Sequence, residues 1–293
     1  MRKVVWVHHP WIDGKPDDVA RTVLDLKCDT VIMKMSDGGS LYAESLYRKA
    51  RGENTEAYVK AFKAAGLHVR GFHWGRVDVS VGSEISAIAK AIERYKPEPP
   101  FCLNMEANYN GQIRRADDLM AGLRPDMQYS LSSGRFPYVF PASLNWPTFL
   151  NVCTLVEQQI YFYGVRTVAG AKSQTFTSME QYDRKYREIH HPEDPYLPAL
   201  PTHKWRDWKP TPDQLDACVE SLMSWSGKTI EGVSFFVLEH LTLPDMTELY
   251  DWVRDLKLDD GVEPPPPPPV PKGKVLVRHT SNVDMAVELD DSL

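Results

Sequence analysis

Cysteine is sparse in this chain, with four residues in 293 (Cys28, Cys102, Cys153 and Cys218) and no Cys-x-x-Cys pair. That scattering fits buried thiols of a protein made in a reducing compartment, and it offers neither a disulfide frame nor a zinc site. A long apolar run is missing as well. Nothing approaches the roughly 18 residues of a membrane span, and the apolar part of Met1-Arg2-Lys3-Val4-Val5-Trp6-Val7 is too short for a secretory leader. Cytoplasmic synthesis, followed by release or incorporation into a particle, is the expectation. There is no basic stripe, and the formal net charge of −6 argues against a nucleic-acid partner. The first strand candidate is followed by His8-His9-Pro10-Trp11 and not by a Gly-rich phosphate turn. The serines at 130, 132 and 133 lack a Gly-x-Ser-x-Gly elbow. His8 and His9 are adjacent, so on an extended strand they face opposite sides and make a poor metal pair. No metal and no cofactor is expected.

Short apolar segments alternate with amphipathic ones along most of the chain. Strand candidates fall at 4–7, 30–35, 68–74, 101–106, 127–132, 155–162, 196–203 and 233–239, rich in β-branched and aromatic residues. Helix candidates lie between them at 17–27, 54–65, 83–96, 112–123, 146–153, 178–190, 211–226 and 245–256. Asn54 and Gly66 bracket the second helix as caps, and Thr211-Pro212-Asp213 opens the seventh. Eight strand–helix units in about 250 residues match a (β/α)8 TIM barrel, here spanning 1–260. Composition then changes. Pro264 to Pro269 make 261–273 a stiff polyproline linker. The tail 274–293 is too short to hold a core of its own, and with the linker it offers a means of attachment to a larger assembly.

Barrels of this kind place their chemistry at the carboxyl ends of the strands. Glu106 closes the fourth strand candidate, and period-two geometry puts Asn104 on the same face. A carboxylate there is costly without solvent or a partner, so it reads either as a general acid or as a rim ion pair with Lys34. Glycoside hydrolysis uses two carboxyl groups, and Asp37 and Glu239 are the candidates for the second. Asp37 also reads as a turn residue before Gly38-Gly39, and Glu239 as a rim residue beside His240. Lys34, Asn104 and Gln159 are candidate polar contacts to substrate, and Trp74, Tyr109, Tyr161 and Trp205 a candidate stacking platform.

The runs Val-Ile-Met-Lys-Met-Ser-Asp-Gly (31–38), Gly-Phe-His-Trp (71–74) and Leu-Asn-Met-Glu-Ala-Asn-Tyr (103–109) resemble barrels related to glycoside hydrolase family 25, the lysozyme-like muramidases. So do Leu-Ser-Ser-Gly-Arg-Phe-Pro (131–137), Asn-Trp-Pro (145–147) and Gln-Gln-Ile-Tyr-Phe (158–162). The likeness is greatest to glycosidase-like barrels of bacteria and their phages, and covers about 1–257. It implies that Glu106 is the proton donor. The family's Asp two residues earlier is Asn104 here, and its acidic residue on strand 1 is replaced by His8-His9. Two functions follow as expectations. One is cleavage of a polysaccharide such as peptidoglycan, with Glu106 as general acid and Asp37, Glu239 or the substrate's own N-acetyl group as its partner. The other is a barrel that binds glycan without cutting it, or a structural module of a phage particle.

Overall fold

The computed structural model describes residues 1–9, 14–42, 54–139, 143–189, 194–226 and 229–258. The chain divides into two units, Met1–Leu258 and Asp259–Leu293. The second unit, with the expected linker 261–273 and tail 274–293, lies outside the described residues.

Strands buried on both faces favour apolar residues at consecutive positions, as the first strand shows. In β1 (Arg2–Val7), Val4 and Trp6 point into one cluster while Val5 and Val7 join another. The first cluster fills a barrel lumen, with Ile32, Phe72, Cys102 and Leu155. The second packs the outside of the same strands against the helices. The barrel is built from β1, β2 (Thr30–Asp37), β4 (His68–Trp74), β5 (Glu98–Asn104), β6 (Tyr129–Gly134), β7 (Cys153–Gln159), β8 (Ala199–Pro201) and β9 (Gly232–Phe236). Each pairs in parallel with the next, and β9 returns to β1. β3 (Ser40–Leu41) is an antiparallel extension on β2. The expected (β/α)8 barrel is the fold of the described chain.

The helices are α1 (Pro16–Asp25), α2 (Thr55–Ala64), α3 (Val81–Tyr95), α4 (Ile113–Ala121), α5 (Trp146–Val152), α6 (Val168–Glu188), α7 (Pro212–Met223), α8 (Leu238–Leu241) and α9 (Thr247–Asp255). Asn54 accepts the backbone N–H groups of Glu56 and Ala57 at the start of α2, and Thr211 and Gln214 form a reciprocal capping box on α7. Three elements differ most from expectation. The helix expected at 178–190 begins ten residues earlier, at Val168, because Thr167 caps it at Gly170 N–H well upstream. The strand expected at 196–203 shrinks to β8, since Pro198 and Pro201 have no N–H for the ladder. The strand expected at 233–239 stops at Phe236, and Glu239 belongs to the short helix α8.

Midway down the lumen lies a charged pair. Glu157 of β7, fully buried, takes hydrogen bonds from Arg70 Nη2 and from Ser130 Oγ, and Arg70 Nε donates to the Pro100 carbonyl at 3.0 Å. At the seam that closes the barrel, a Cβ on Gly232 would lie 2.3 Å from the carbonyl oxygen of Arg2. Only glycine lets β9 approach β1 so closely.

Candidate active site

Glu106 sits two residues beyond the end of β5, at the entry to the 3-10 turn Ala107–Tyr109. Its strand placement is thereby corrected, while the shared face with Asn104 holds. Asn104 Nδ2 donates to Glu106 Oε1 at 3.0 Å, and Gln159 Nε2, from the last residue of β7, reaches the same oxygen at 3.0 Å. Gln159 Nε2 also lies 2.8 Å from Asn104 Oδ1 and 3.2 Å from Ser132 Oγ. Three consecutive strands therefore contribute to one polar floor at the barrel mouth, with the carboxylate on top of it.

The turn that carries Glu106 is fixed from outside the barrel. Tyr109 N–H closes it on the Glu106 carbonyl at 3.0 Å, and the Tyr109 hydroxyl donates to buried Glu84 of α3. Glu84 also meets His73 Nε2 at 3.1 Å, the Arg76 backbone N–H at 2.7 Å, and the Arg115 guanidinium. Burial raises the Glu84 pKa, but the hydrogen bonds from His73, Arg76 and Tyr109 outweigh it and hold the carboxyl below its ordinary range. Glu84 thus ties the loops after β4 and β5 to one helix.

One wall of the mouth is aromatic. Tyr161 lies 5.1 Å from His203, 5.6 Å from Phe236 and 5.7 Å from Tyr163, ring centre to ring centre. Trp205, half exposed, stacks on Tyr163 at 5.3 Å. Burial, together with Tyr163 and Glu106 nearby, raises the Tyr161 pKa well above that of a free phenol, so its hydroxyl keeps its proton. His203 Nδ1–H donates to the Phe236 carbonyl at 2.8 Å, which leaves Nε2 to accept from the Tyr163 hydroxyl at 2.6 Å. Burial pushes the His203 imidazole down to about 4.

The opposite wall holds the rest of the expected site. Lys34, buried, pairs with Asp37 at 2.6 Å and not with Glu106. Its Nζ lies 2.9 Å from His8 Nε2, 4.4 Å from the Tyr42 ring centre and 5.1 Å from that of Trp74. Asp37 also accepts from Arg76 Nε; burial raises its pKa, but Arg76 and Lys34 together bring it below the ordinary carboxyl range. His8 and His9 lie past the end of β1, so strand alternation no longer applies and their rings stack at 4.1 Å. Trp74 stacks on His8 at 5.7 Å. Glu239 is buried and accepts the backbone N–H of His9. Neither Asp37 nor Glu239 hydrogen-bonds Glu106, whose partners among the described residues are two amides.

Tyr109 does not belong to the stacking platform. It is wholly buried against Phe149 on the helix side of the sheet, because the 3-10 turn reverses the direction of the strand before it. Tyr163 takes its place in the aromatic wall, and the alternation Gln159–Tyr161–Tyr163 is the sequence signal that marks it. Glu84 and Arg76 carried no such signal, since their roles arise from contacts between segments separate in sequence. Among the described residues no group of three or more His, Cys, Asp and Glu side chains is placed to hold a metal, and no helix is long and apolar enough to cross a membrane.

No family model matches the chain, and no curated protein matches it by sequence. Solved structures do match in fold. The Group IV chitinase of Ostrinia furnacalis superposes with a TM-score of 0.60 at 9% identity, over 86% of this chain and 98% of that one. The glycoside hydrolase domain of PgaB (BpsB) from Bordetella bronchiseptica gives 0.53 at 15% identity, over 88% and 99%. The xylanase and alpha-amylase inhibitor protein XAIP-II of Scadoxus multiflorus gives 0.57 at 12% identity, over 87% and 97%. At such identities the shared feature is the TIM-barrel architecture, found in glycoside hydrolases and in an inhibitor alike.

Proposed function

We propose that this barrel hydrolyses a glycan of N-acetylated amino sugars, with Glu106 as its general acid. The observation that carries the reading is the Glu106 carboxylate at the mouth, oriented by the two amides Asn104 and Gln159 and bordered by the Tyr161 wall. Glycosidases that lack a second carboxylate beside the acid can use the substrate's own acetamido group. In that reaction Glu106 gives its proton to the glycosidic oxygen as the C1–O bond breaks. The acetamido carbonyl oxygen bonds to C1 from the other face, forming an oxazolinium ion. Water then attacks C1, Glu106 takes a proton from it, and the ring opens with retained configuration. Asn104 stands beside the acid as an amide that orients the acetamido group or Glu106 itself. Asp37, neutralised by Lys34 and Arg76, holds those cations in place and is not required as a base. The resemblance to lysozyme-like muramidases supports an amino-sugar polymer, peptidoglycan among them.

Reducing-sugar release from chitin oligomers and peptidoglycan, with wild type and Glu106→Gln side by side, tests this. Release by wild type, falling at least about 10²-fold in the variant, is expected. Equal release by both would refute the role of Glu106. Asn104 in the place of an acid favours one second reading, a barrel that retains glycan without cutting it. Retention of a glycan by both proteins in a pull-down, with no release by either, would establish that.

A further inference from the structure

Beyond the mouth, on the side of the aromatic wall, a cavity of about 590 Å³ opens between residues 163–166 and 205–214. Tyr163 belongs to both the wall and this cavity, so the rings of Tyr161, Tyr163 and Trp205 run from the neighbourhood of Glu106 into it, in steps of 5.7 and 5.3 Å. Its outer edge is a tight turn. Trp205 and Trp208 exchange both backbone hydrogen bonds, at 2.8 and 3.0 Å, and Arg206 at the tip has a positive φ of 55°. The turn is pinned to the barrel: Trp208 Nε1 donates to the Val165 carbonyl at 2.8 Å and its ring packs edge-on against Phe162. Trp205 is therefore held half exposed, with the Arg206 guanidinium 5.9 Å from its ring centre, by a framework that needs no ligand to form it.

Charge singles the cavity out. In a chain of net charge −6, its lining carries Arg166, Arg206 and Lys209 against the single carboxylate of Asp207. Lys209 Nζ is occupied by the Asp245 carbonyl at 2.6 Å, but neither Arg166 nor Arg206 forms an ion pair among the described residues. A guanidinium fork receives a carboxylate through two parallel hydrogen bonds. An aromatic face bordered by two such forks recognises a sugar ring bearing an acid.

We propose that this cavity is a second sugar subsite, continuous with the mouth, which takes an acidic sugar through Trp205 and the Arg166 and Arg206 guanidinium groups. It rests on the reading of the barrel as glycan-acting and narrows the substrate to a polymer in which amino sugars alternate with carboxylates. That carboxylate has two chemical sources, a uronic acid or a lactyl ether on the amino sugar.

Calorimetric titration of the full-chain Glu106→Gln protein with three probes separates the outcomes: chitohexaose, a hyaluronan hexasaccharide, and peptide-free peptidoglycan glycan strands. At least one acidic probe is expected to bind about tenfold more tightly than chitohexaose, the size of one charge-assisted hydrogen bond. The tighter of the two names the source of the carboxylate. Arg166→Ala with Arg206→Ala should remove that preference, weakening the acidic probes about tenfold more than chitohexaose. Added salt should weaken the acidic probes alone. Equal binding of all three, no binding of any, or a preference that survives both substitutions would overturn the subsite. Sugar release by wild type is read separately. Arginine-dependent binding without release keeps the subsite and sinks the hydrolase reading, while release with no charge preference does the reverse.

Discussion

Gln159 reaches Glu106 across an intervening strand: its Nε2, at the end of β7, stands 3.0 Å from the carboxylate oxygen that follows β5. The same amide touches Asn104 and Ser132, so it fixes the side chains of the whole floor relative to one another. Glu106 has only one other donor, Asn104, among the described residues.

Gln159→Leu keeps the volume and removes the donor. Misplacing a reacting group by an ångström costs about 10²-fold in rate, and a fall in kcat of that order with KM little changed is expected on whichever glycan wild type cleaves. Circular dichroism should match wild type. A rise in KM with kcat intact would make Gln159 a substrate contact and not a positioning residue.

His203 links stability to pH. Its imidazole titrates at about 4 in the fold against an ordinary 6.5, so between those values the unfolded chain binds a proton that the folded one does not. The sign follows: the contribution is complete above about pH 6.5 and is lost as pH falls toward 4, on the order of 3 kcal/mol. Nearby His240, also lowered by burial, acts in the same direction. Urea melts at several pH values between 4.5 and 7.5 should show wild type losing stability more steeply than His203→Gln. Parallel profiles would contradict the assignment.

The barrel was legible because strands buried on both sides leave continuous apolar runs, as Val31 to Met33 do. β8 and α6 were harder, the one shortened by prolines, the other beginning with the weakly apolar Val168–Thr177. In the site, the Asn104–Glu106 relation could be read from a period of two. The Asp37–Arg76 pair could not, since its partners are 39 residues apart, one at the end of β2 and the other in the loop after β4. Tyr109 was misplaced for a related reason: strand periodicity ends where the 3-10 turn begins.

The closure of the barrel turns on Gly232. A methyl group there meets the backbone of Arg2, 2.3 Å from its oxygen and 2.9 Å from its nitrogen, and backbone cannot swing aside as a side chain would. Gly232→Ala is expected to cost about 1–3 kcal/mol, as overpacking does, which is a fall of several degrees in Tm at roughly 2–4 °C per kcal/mol. Thermal melts check it. An unchanged Tm would mean that β1 and β9 can separate at no cost.

The Arg70–Glu157 pair predicts a non-additive result. Both side chains are buried within the lumen, so Arg70→Met strands a carboxylate away from water, and breaking such a pair costs about 3–5 kcal/mol. Replacing both, as Arg70→Met with Glu157→Leu, removes the stranded charge along with its partner, and apolar neighbours such as Phe72 and Leu155 already line the same space. The double variant is therefore expected to recover most of the loss, with a coupling of at least about 2 kcal/mol in a double-mutant cycle of urea melts. A double variant no more stable than the sum of its parts would show that geometry, through Ser130 and the Pro100 carbonyl, matters more in this lumen than neutralised charge.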